Sequence, residues 1–308
     1  MNKLFVLPLF SMFFFGEAID FSLRYCQRWN YSNMCDFVYA NNSDSGVGGV
    51  FRNDTPFNPK DVFAGSTIFV TGHSIDYFFK DVDPLIVHPY ILVCMYGGVK
   101  REYLDNPHVI ACFANDSGGP NDSNAIHHHE KFIMLPLGLS RDERLFHQND
   151  SMNRAFITMR NKPKNKLLYM NFSLHPWAHW RHDLYNEFKE KPFVSIGAKK
   201  PFIEYMEDMS DYKFALSPSG DMYDCYRHWE AIMVGTIPIV LRHYPICEML
   251  KNLPVLMIDD WNELTEAFLE KKYKEISAKK YDLSKLYLKY WVDKINNVKN
   301  AYFALHSN

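Results

Sequence analysis

The sequence predicts an α/β protein built from two Rossmann-like domains that face a cleft. In each half of the chain, short apolar runs alternate with segments of helical spacing, which is typical of β-α-β units around a mainly parallel sheet. A polar and basic segment, residues 140–166, separates the halves and indicates a domain boundary. We therefore predict an N-terminal domain at residues 19–150 and a C-terminal domain at residues 151–308, preceded by a targeting segment at residues 1–18.

The first half is expected to form one sheet after a loop-rich beginning. Residues 19–62 contain many turn formers and show little periodicity. Beyond them, apolar runs indicate strands at residues 67–72, 90–98, 109–114 and 131–138, and helical spacing indicates a helix at residues 74–82.

The second half repeats this pattern. Strands are expected at residues 167–172, 192–197, 213–217, 237–241 and 254–259, and helices at residues 178–190, 201–212, 224–235, 261–276 and 283–303. Ligands of parallel sheets bind beyond the carboxyl ends of the strands. The site is therefore expected in the loops after Phe172, Gly197, Ser217 and Leu241.

The first 18 residues have the features of a cleaved signal peptide. Lys3 precedes an apolar run at residues 4–15, and Gly16 and Ala18 are small residues that suit a cut after Ala18. The run is shorter than the roughly 20 residues that a membrane-spanning helix needs. A retained anchor and a buried N-terminal segment are the alternatives. We expect the secretory pathway, either the Golgi lumen or secretion, with membrane contact only if the segment is retained.

Two further features are typical of an exported glycoprotein. Seven Asn-x-Ser/Thr sequons occur, at Asn30, Asn41, Asn53, Asn115, Asn121, Asn149 and Asn171. Six cysteines permit up to three disulfides, and Cys26–Cys35 and Cys94–Cys112 are plausible pairs by proximity. Reduced thiols in the core are the alternative.

Composition narrows the range of partners. The formal net charge of −2 provides no overall basic field, so nucleic acid is not expected as a partner. Aromatic residues make up 16% of the chain, which indicates a well-filled core or a surface that stacks on sugar rings.

The segment at residues 213–240 carries the densest chemical signal. A strand leads into Ser-Pro-Ser-Gly at residues 217–220, where Gly220 offers unusual backbone angles and close approach to a ligand. Asp224 stands where the N-cap of the next helix belongs, and a helix N-terminus attracts anions. Arg227 suits a diphosphate, and Glu230 lies on the same helical face and suits ribose hydroxyls. The alternative is that Arg227 and Glu230 form an ordinary surface ion pair, while Trp229, Ile232 and Met233 fill the core.

This segment resembles the signature of exostosin-like glycosyltransferases, which have the GT-B fold. The matching string is Ser-Pro-x-Gly, then Asp-Cys-x-Arg-x-Trp-Glu-Ala, then Gly-x-Ile-Pro-Ile-Val. Weaker similarity extends over residues 132–139 and 253–269. The resemblance implies transfer of a sugar from a nucleotide-sugar donor to a hydroxyl acceptor without an essential metal or other cofactor.

The resemblance also implies roles for individual residues. Ser217 and Gly220 would approach the diphosphate through their backbone, Arg227 would contact phosphate, and Glu230 would contact ribose. Arg181 could add a second phosphate contact, with a plain surface arginine as the alternative.

An inverting transfer also needs a base that deprotonates the acceptor, expected from the N-terminal, acceptor-side domain. His73 and Asp76, which follow the strand at residues 67–72, are the first candidates for this catalytic role, and Asp116 is the next. The run His127, His128, His129 and Glu130 suggests a metal site, but neighbouring strand residues point to opposite faces, so no metal is expected there.

We therefore predict an inverting glycosyltransferase of the secretory pathway that acts on a glycan or glycoprotein acceptor. A secreted carbohydrate-binding protein with the same fold and no catalysis is the main alternative. A hydrolase is a weaker one, because it would need two carboxylates at one sugar site.

Overall fold

A computed structural model describes residues 25–26, 30–39, 57–118, 125–140, 150–220, 222–243 and 246–306. The expected targeting segment at residues 1–18 lies outside this part of the chain. Among the described helices, none has both the length and the apolar character needed to cross a membrane.

The N-terminal half forms a five-stranded parallel sheet in the order β1-β2-β3-β4-β5. Its strands are β1 Phe37–Tyr39, β2 Ser66–Thr71, β3 Tyr90–Met95, β4 Val109–Ala114 and β5 Phe132–Met134. Its helices are α1 Ile75–Tyr77, which continues as a π-helix over Phe78–Val82, and α2 Arg101–Leu104. Every residue of β2, β3 and β4 is buried, as expected for parallel strands covered on both faces.

The C-terminal half forms a second five-stranded parallel sheet in the order β7-β6-β8-β9-β10. Its strands are β6 Lys166–Met170, β7 Val194–Ile196, β8 Tyr212–Leu216, β9 Ile237–Leu241 and β10 Leu256–Ile258. The helices of this half are α3 Asp150–Asn161, α4 His179–Phe188, α5 Phe202–Met209, α6 Tyr226–Met233, α7 Ile246–Leu250, α8 Glu266–Ser277 and α9 Leu288–His306. The two parallel α/β sheets confirm the predicted fold class.

The strand order of the second sheet places a topological switch point between β6 and β8. The chain leaves β6 toward β7 on one side and then returns to the other side for β8. Ligands of open α/β sheets bind beyond the carboxyl ends of strands at such a point. The loops at residues 171–178 and 217–225, which follow β6 and β8, are therefore the elements that can form a site.

Helix α6 has one face in the core and one face toward this switch point. Trp229, Ile232 and Met233 are fully buried in the core of the C-terminal half, as predicted. The helix ends at Met233 with Val234 as its C-cap, and Gly235 follows with a φ of +76° and donates its N–H to the Ile232 carbonyl, so the predicted glycine closes the helix. Thr236 donates to the Ala231 carbonyl, which completes a Schellman cap.

The two halves are joined by packing as well as by the chain. Although α9 follows the second sheet in sequence, its Leu288, Trp291 and Ile295 pack in the core of the first sheet. Met222 and Tyr226, which precede and begin α6, also pack against that core. The exact domain boundaries stay a prediction.

The structure corrects the expectation of disulfides. All six cysteines are free thiols, and five of them are buried. Cys94 and Cys112 lie on the adjacent strands β3 and β4, but Cys112 is paired with Leu92 in the strand register. The alternative of reduced core thiols therefore describes this structure.

Three sequons lie in the described part of the chain. Asn30 and Asn115 are buried, and Asn115 accepts a hydrogen bond from the Tyr96 N–H and donates to the Met222 sulfur. Asn171 donates to the Tyr169 hydroxyl and to the Ala198 carbonyl. A glycan on Asn30 or Asn115 is incompatible with this fold. The other four sequons lie outside the described residues.

Candidate active site

A cleft of about 710 Å³ lies at the switch point of the second sheet. Its lining comes from the segment after β5 at Ser140, from the loop after β6, from α4, from the loop after β7, and from α5 and α6. The lining residues are Ser140, Asn171, Phe172, Ser173, Arg181, Gly197, Lys199, Lys200, Phe202, Tyr205, Cys225, Tyr226, Arg227 and Glu230. The cleft therefore lies at the switch point between β6 and β8, the position that the strand order of the second sheet indicates.

The N-terminal turn of α6 forms one wall of the cleft. Residues 225–227 line the cavity, and the N-cap residue Cys225 makes no side-chain capping bond. Asp224, the expected N-cap, instead accepts hydrogen bonds from the Leu137 N–H and the Trp229 indole N–H. An uncapped helix N-terminus carries partial positive charge and free N–H groups, which suits an anion.

Arg227 projects from this turn along the cleft wall. Its guanidinium carbon lies 5.7 Å from the centroid of the Phe172 ring. Its Nε is buried and has no hydrogen-bond acceptor among the described residues. A buried guanidinium N–H without an acceptor is costly, which indicates that a ligand supplies one.

Glu230 lies one turn further along the same face of α6. Its carboxylate accepts a hydrogen bond from the Tyr205 hydroxyl at 3.0 Å and further bonds from Ser140 in the segment after β5. Burial raises the pKa of Glu230, while Arg227 and these donors oppose the rise. In the described part of the chain, no ion pair within 4.0 Å joins Glu230 to Arg227. The alternative of an ordinary surface pair does not describe them.

Arg181, in the first turn of α4, is a buried residue that bonds to backbone carbonyls around the site rather than a surface residue. It is only 8% exposed. Its Nε donates to the Ser219 carbonyl at 2.9 Å, and its two terminal nitrogens donate to the carbonyls of Ser173 and Pro218 at 3.3 Å each. The guanidinium thus ties the loop after β6 to the turn at residues 217–220.

Ser217 and Gly220 occupy this turn in ways that the sequence did not indicate. Ser217 is fully buried, its backbone N–H donates to the Ile239 carbonyl, and its hydroxyl lies 2.6 Å from His228 Nδ1. Its backbone donor is therefore occupied within the sheet. Gly220 has no positive φ, and a Cβ there would lie 3.4 Å from Arg181 Nη2. The missing side chain leaves room beside Arg181 rather than permitting an unusual turn.

A buried polar group lies behind the turn. Ser217, Cys225 and His228 are in mutual contact, with Cys225 Sγ 3.4 Å from His228 Nδ1. Burial opposes ionisation of the Cys225 thiol, yet the adjacent His228 and Arg227 lower its pKa to about 6. These contacts hold the beginning of α6 against the end of β8.

Asp224 connects the two halves of the molecule. Its carboxylate accepts hydrogen bonds from the Leu137 N–H at 2.7 Å and from the Trp229 indole N–H at 2.9 Å. Leu137 belongs to the segment after β5, and Trp229 belongs to α6. Burial raises the pKa of Asp224 to about 7, while His228 and the two N–H donors oppose the rise.

We expect Asp224→Asn to make stability less dependent on pH between about pH 4 and pH 7. The lower limit is the ordinary pKa of an aspartate, and the upper limit is the raised pKa of Asp224 in the folded protein. The folded-state pKa exceeds that of the unfolded chain, so the folded state binds more protons in this range. The contribution of Asp224 to stability is complete below pH ~4 and is lost as the pH rises through 7. Urea unfolding at stepped pH measures this, and parallel curves for the variant and wild type would contradict it.

The expected catalytic residues His73 and Asp76 do not line the cleft. His73 is exposed in the turn after β2. Asp76 accepts a hydrogen bond from the Tyr103 hydroxyl at 2.5 Å and pairs with Lys100 at 3.0 Å. The Tyr103 and Lys100 donors lower the pKa of Asp76, which makes it a weaker base.

Asp116 lies at the edge of the first sheet that faces the second half. It follows Asn115 at the end of β4, and Asn115 contacts Met222 directly. The Asp116 carboxylate accepts the Gly118 N–H at 3.1 Å and lies beside Gly97, where an added Cβ would be 2.7 Å from its Oδ2.

The histidine run lies away from the cleft lining. The His127 and His128 rings are in contact, with centroids 4.3 Å apart, and His129 Nε2 lies 3.1 Å from Asp105. Over the described ranges, no group of three or more His, Cys, Asp or Glu side chains is arranged to hold a metal ion.

Several residues that line the cleft were not predicted from the sequence. Lys199 and Lys200 follow β7 and add positive charge beside Arg181 and Arg227, and Lys200 pairs with Asp208 at 3.1 Å. These two lysines could have been predicted from the sequence, because the loop after Gly197 was an expected position for the site. Tyr205 and Ser140 could not have been predicted in this way, because only the packing of α5 and of the segment after β5 against α6 brings them to Glu230.

In a comparison with known protein families, the C-terminal part of the chain matches one family. Residues 181–304, about two fifths of the sequence, match the family described as the RXYLT1 C-terminal domain. The matched region begins at Arg181 and includes Ser217, Gly220, Arg227 and Glu230. A comparison with curated protein sequences found no match.

Solved structures provide distant similarity. They include the catalytic domain of starch synthase IV from Arabidopsis thaliana bound to ADP and acarbose, with 11% identity, coverage of 76% of this chain and 72% of that chain, and a TM-score of 0.39. UDP-GlcNAc 2-epimerase from Methanocaldococcus jannaschii has 14% identity, coverage of 71% and 72%, and a TM-score of 0.35. An α,α-trehalose-phosphate synthase (UDP-forming) from Burkholderia vietnamiensis has 8% identity, coverage of 81% and 76%, and a TM-score of 0.36.

The matched domain includes the motif at residues 213–240 on which the resemblance was based. The C-terminal part of the chain, residues 181–304, is thus similar to the RXYLT1 C-terminal domain, and the two parallel α/β sheets agree with the predicted fold class.

Proposed function

We propose that the protein transfers a sugar from a nucleotide-sugar donor to a hydroxyl of a glycan or glycoprotein in the secretory pathway, with inversion and without an essential metal. The observation that carries this proposal is Arg227, whose buried Nε has no acceptor among the described residues and which stands beside the uncapped N-terminus of α6. A diphosphate would satisfy both groups at once.

The charge of the cleft supports an anionic donor. Arg181, Lys199, Lys200 and Arg227 line it, against the single carboxylate of Glu230. As the bond between the sugar and the diphosphate breaks, negative charge grows on the leaving oxygen. Arg227 and the helix N-terminus are positioned to stabilise that charge without a metal ion.

Glu230 is our candidate for binding the ribose. A carboxylate can accept hydrogen bonds from both ribose hydroxyls. Ser140 and Tyr205 already donate to Glu230, so ribose would replace the Ser140 contacts. Since Ser140 lies in the segment that follows β5, donor binding would change a contact between α6 and that segment.

The proposed transfer is a single displacement. The acceptor oxygen attacks the anomeric carbon, the bond from that carbon to the diphosphate oxygen breaks, and the acceptor proton passes to a base. We propose Asp116 as this base in preference to Asp76 and His73. It directly follows Asn115, which contacts Met222 of the second half, whereas Asp76 is paired with Lys100 and His73 is exposed in a turn.

The experiment is donor turnover by the purified chain. The matched family includes exostosin-like xylosyltransferases, so UDP-xylose is tested first, followed by other UDP-sugars and GDP-sugars. Release of nucleoside diphosphate from one donor, increased by an acceptor glycan, is the expected result. Nucleotide-independent binding of glycans with no turnover would favour the alternative of a carbohydrate-binding protein.

We expect Glu230→Gln to raise the KM for the donor by about tenfold with a smaller change in kcat. The substitution keeps the shape but removes a charged acceptor, and a hydrogen bond to a charged group contributes about 1.5–3 kcal/mol. Tyr205→Phe keeps the Glu230 carboxylate and removes a hydroxyl that contacts both Glu230 and Arg227, and a smaller effect on KM is expected. An unchanged KM in Glu230→Gln would contradict the assignment to ribose.

A further inference from the structure

An exposed group of aromatic side chains lies on the loop after β6 and at the start of α4. This aromatic surface consists of His175, Trp177 and Trp180. The rings of His175 and Trp177 are stacked, with centroids 5.4 Å apart and planes 5° apart, and the Trp180 ring lies 5.9 Å from Trp177. Trp177 and Trp180 remain 46% and 44% exposed. Contiguous apolar groups exposed in this way mark a binding surface.

The loop that carries the aromatic surface is held firmly in place. The Trp180 indole N–H donates to the Ser219 carbonyl at 3.2 Å, and Arg181 donates to the Ser173 carbonyl at 3.3 Å. The His175 carbonyl accepts the Ala178 N–H at 2.9 Å and lies 3.1 Å from His182 Nε2. A surface that is already ordered loses little conformational freedom when it binds a ligand.

The aromatic surface is continuous with the cleft. Phe172 and Ser173, which precede it, and Arg181, which follows it, line the cavity. Trp180 and Arg181 both contact the same Ser219 carbonyl. A molecule that extends out of the cleft along this edge would therefore lie against the tryptophan rings.

We propose that the aromatic surface binds the sugar rings of the acceptor glycan, so that one hydroxyl of that glycan reaches the donor in the cleft. This inference rests on the proposed function. The C–H faces of sugar rings are apolar and stack on indole, while the indole and imidazole nitrogens can bond to hydroxyls. Residues 173–180 contain no Lys or Arg, so an uncharged glycan fits this surface better than an anionic membrane.

The test uses Trp177→Ala and Trp180→Ala in the full chain, with Phe63→Ala as the matched control, since Phe63 is an aromatic residue of the first half with 47% exposure. The probes are immobilised neutral oligosaccharides of xylose, glucose, galactose, mannose and N-acetylglucosamine. Calorimetry with UDP and GDP runs in parallel on each variant.

We expect the wild type to bind at least one oligosaccharide, Trp177→Ala to weaken that binding at least tenfold, and Phe63→Ala to leave it unchanged. Nucleotide affinity should stay within twofold in all variants. The proposal is overturned if no oligosaccharide is bound, if binding survives in Trp177→Ala, or if Trp177→Ala instead loses nucleotide binding or binding to phosphatidylserine vesicles. If the wild type binds no nucleotide, the proposed function is contradicted. The oligosaccharide measurements then still show whether the aromatic surface binds sugars.

Discussion

Replacing Arg227 with alanine is expected to abolish detectable sugar transfer and to weaken nucleoside diphosphate binding by at least a hundredfold. The buried Nε of this guanidinium has no acceptor among the residues that the structure describes, and it stands beside the N-terminus of α6, whose N-cap residue Cys225 makes no side-chain capping bond. A charged hydrogen bond contributes about 1.5–3 kcal/mol, and stabilisation of leaving-group charge adds to this in the transition state. Calorimetry measures the binding, and release of nucleoside diphosphate measures the transfer.

Two further variants test whether the loss in Arg227→Ala is due to the guanidinium group. Arg227→Lys keeps the charge but loses the bidentate geometry, so an intermediate loss is expected. Arg154→Ala removes an exposed arginine from α3 and should change neither measurement. If Arg227→Ala retains nucleotide binding within threefold of the wild type, the assignment of the diphosphate to α6 is wrong.

Arg181→Ala is expected to lower the free energy of unfolding by about 3 kcal/mol or more and to disorganise the site. The side chain satisfies the carbonyls of Ser173, Pro218 and Ser219. Its removal takes a donor from the Ser173 and Pro218 carbonyls, each of which costs about 1–3 kcal/mol if buried without another, while the Ser219 carbonyl keeps the Trp180 indole N–H. Urea unfolding followed by circular dichroism measures the loss.

Arg242→Ala is the matched control for this stability effect. Arg242 pairs with Asp259 at 2.9 Å, but both side chains are mostly exposed. Exposed ion pairs contribute roughly 0–1 kcal/mol, so a small change is expected. A change of less than about 0.5 kcal/mol in Arg181→Ala, the range of ordinary surface substitutions, would show that the turn at residues 217–220 holds its shape without this guanidinium.

Strands with continuous apolar runs could be predicted closely from the sequence. β4 and β9 match their expected ranges, since buried parallel strands consist almost wholly of apolar residues. The prediction lacks β1, because Phe37–Tyr39 is three residues long and lies within a segment of turn formers. Such a strand is stabilised by pairing with β2 rather than by its own periodicity.

The location of the site could also be predicted, but several roles within it could not. Helical spacing placed Arg227 and Glu230 on one face of α6, and the structure finds both in the cleft. Asp224 was expected to cap α6, yet it bonds to Leu137 of the first half, a contact between residues distant in sequence. Likewise, the three carbonyls that bind Arg181 come together only when the loops after β6 and β8 meet.

The central claim is that a nucleoside diphosphate binds where Arg227 meets the N-terminus of α6. It is tested most directly by an experimental structure of the chain soaked with UDP, GDP, ADP and CDP in turn. The account predicts that one of these nucleotides binds with a phosphate oxygen in hydrogen-bond contact with Arg227 Nε and its ribose against Glu230. A nucleotide bound elsewhere, or a cleft that stays empty at millimolar concentrations of all four, would contradict it.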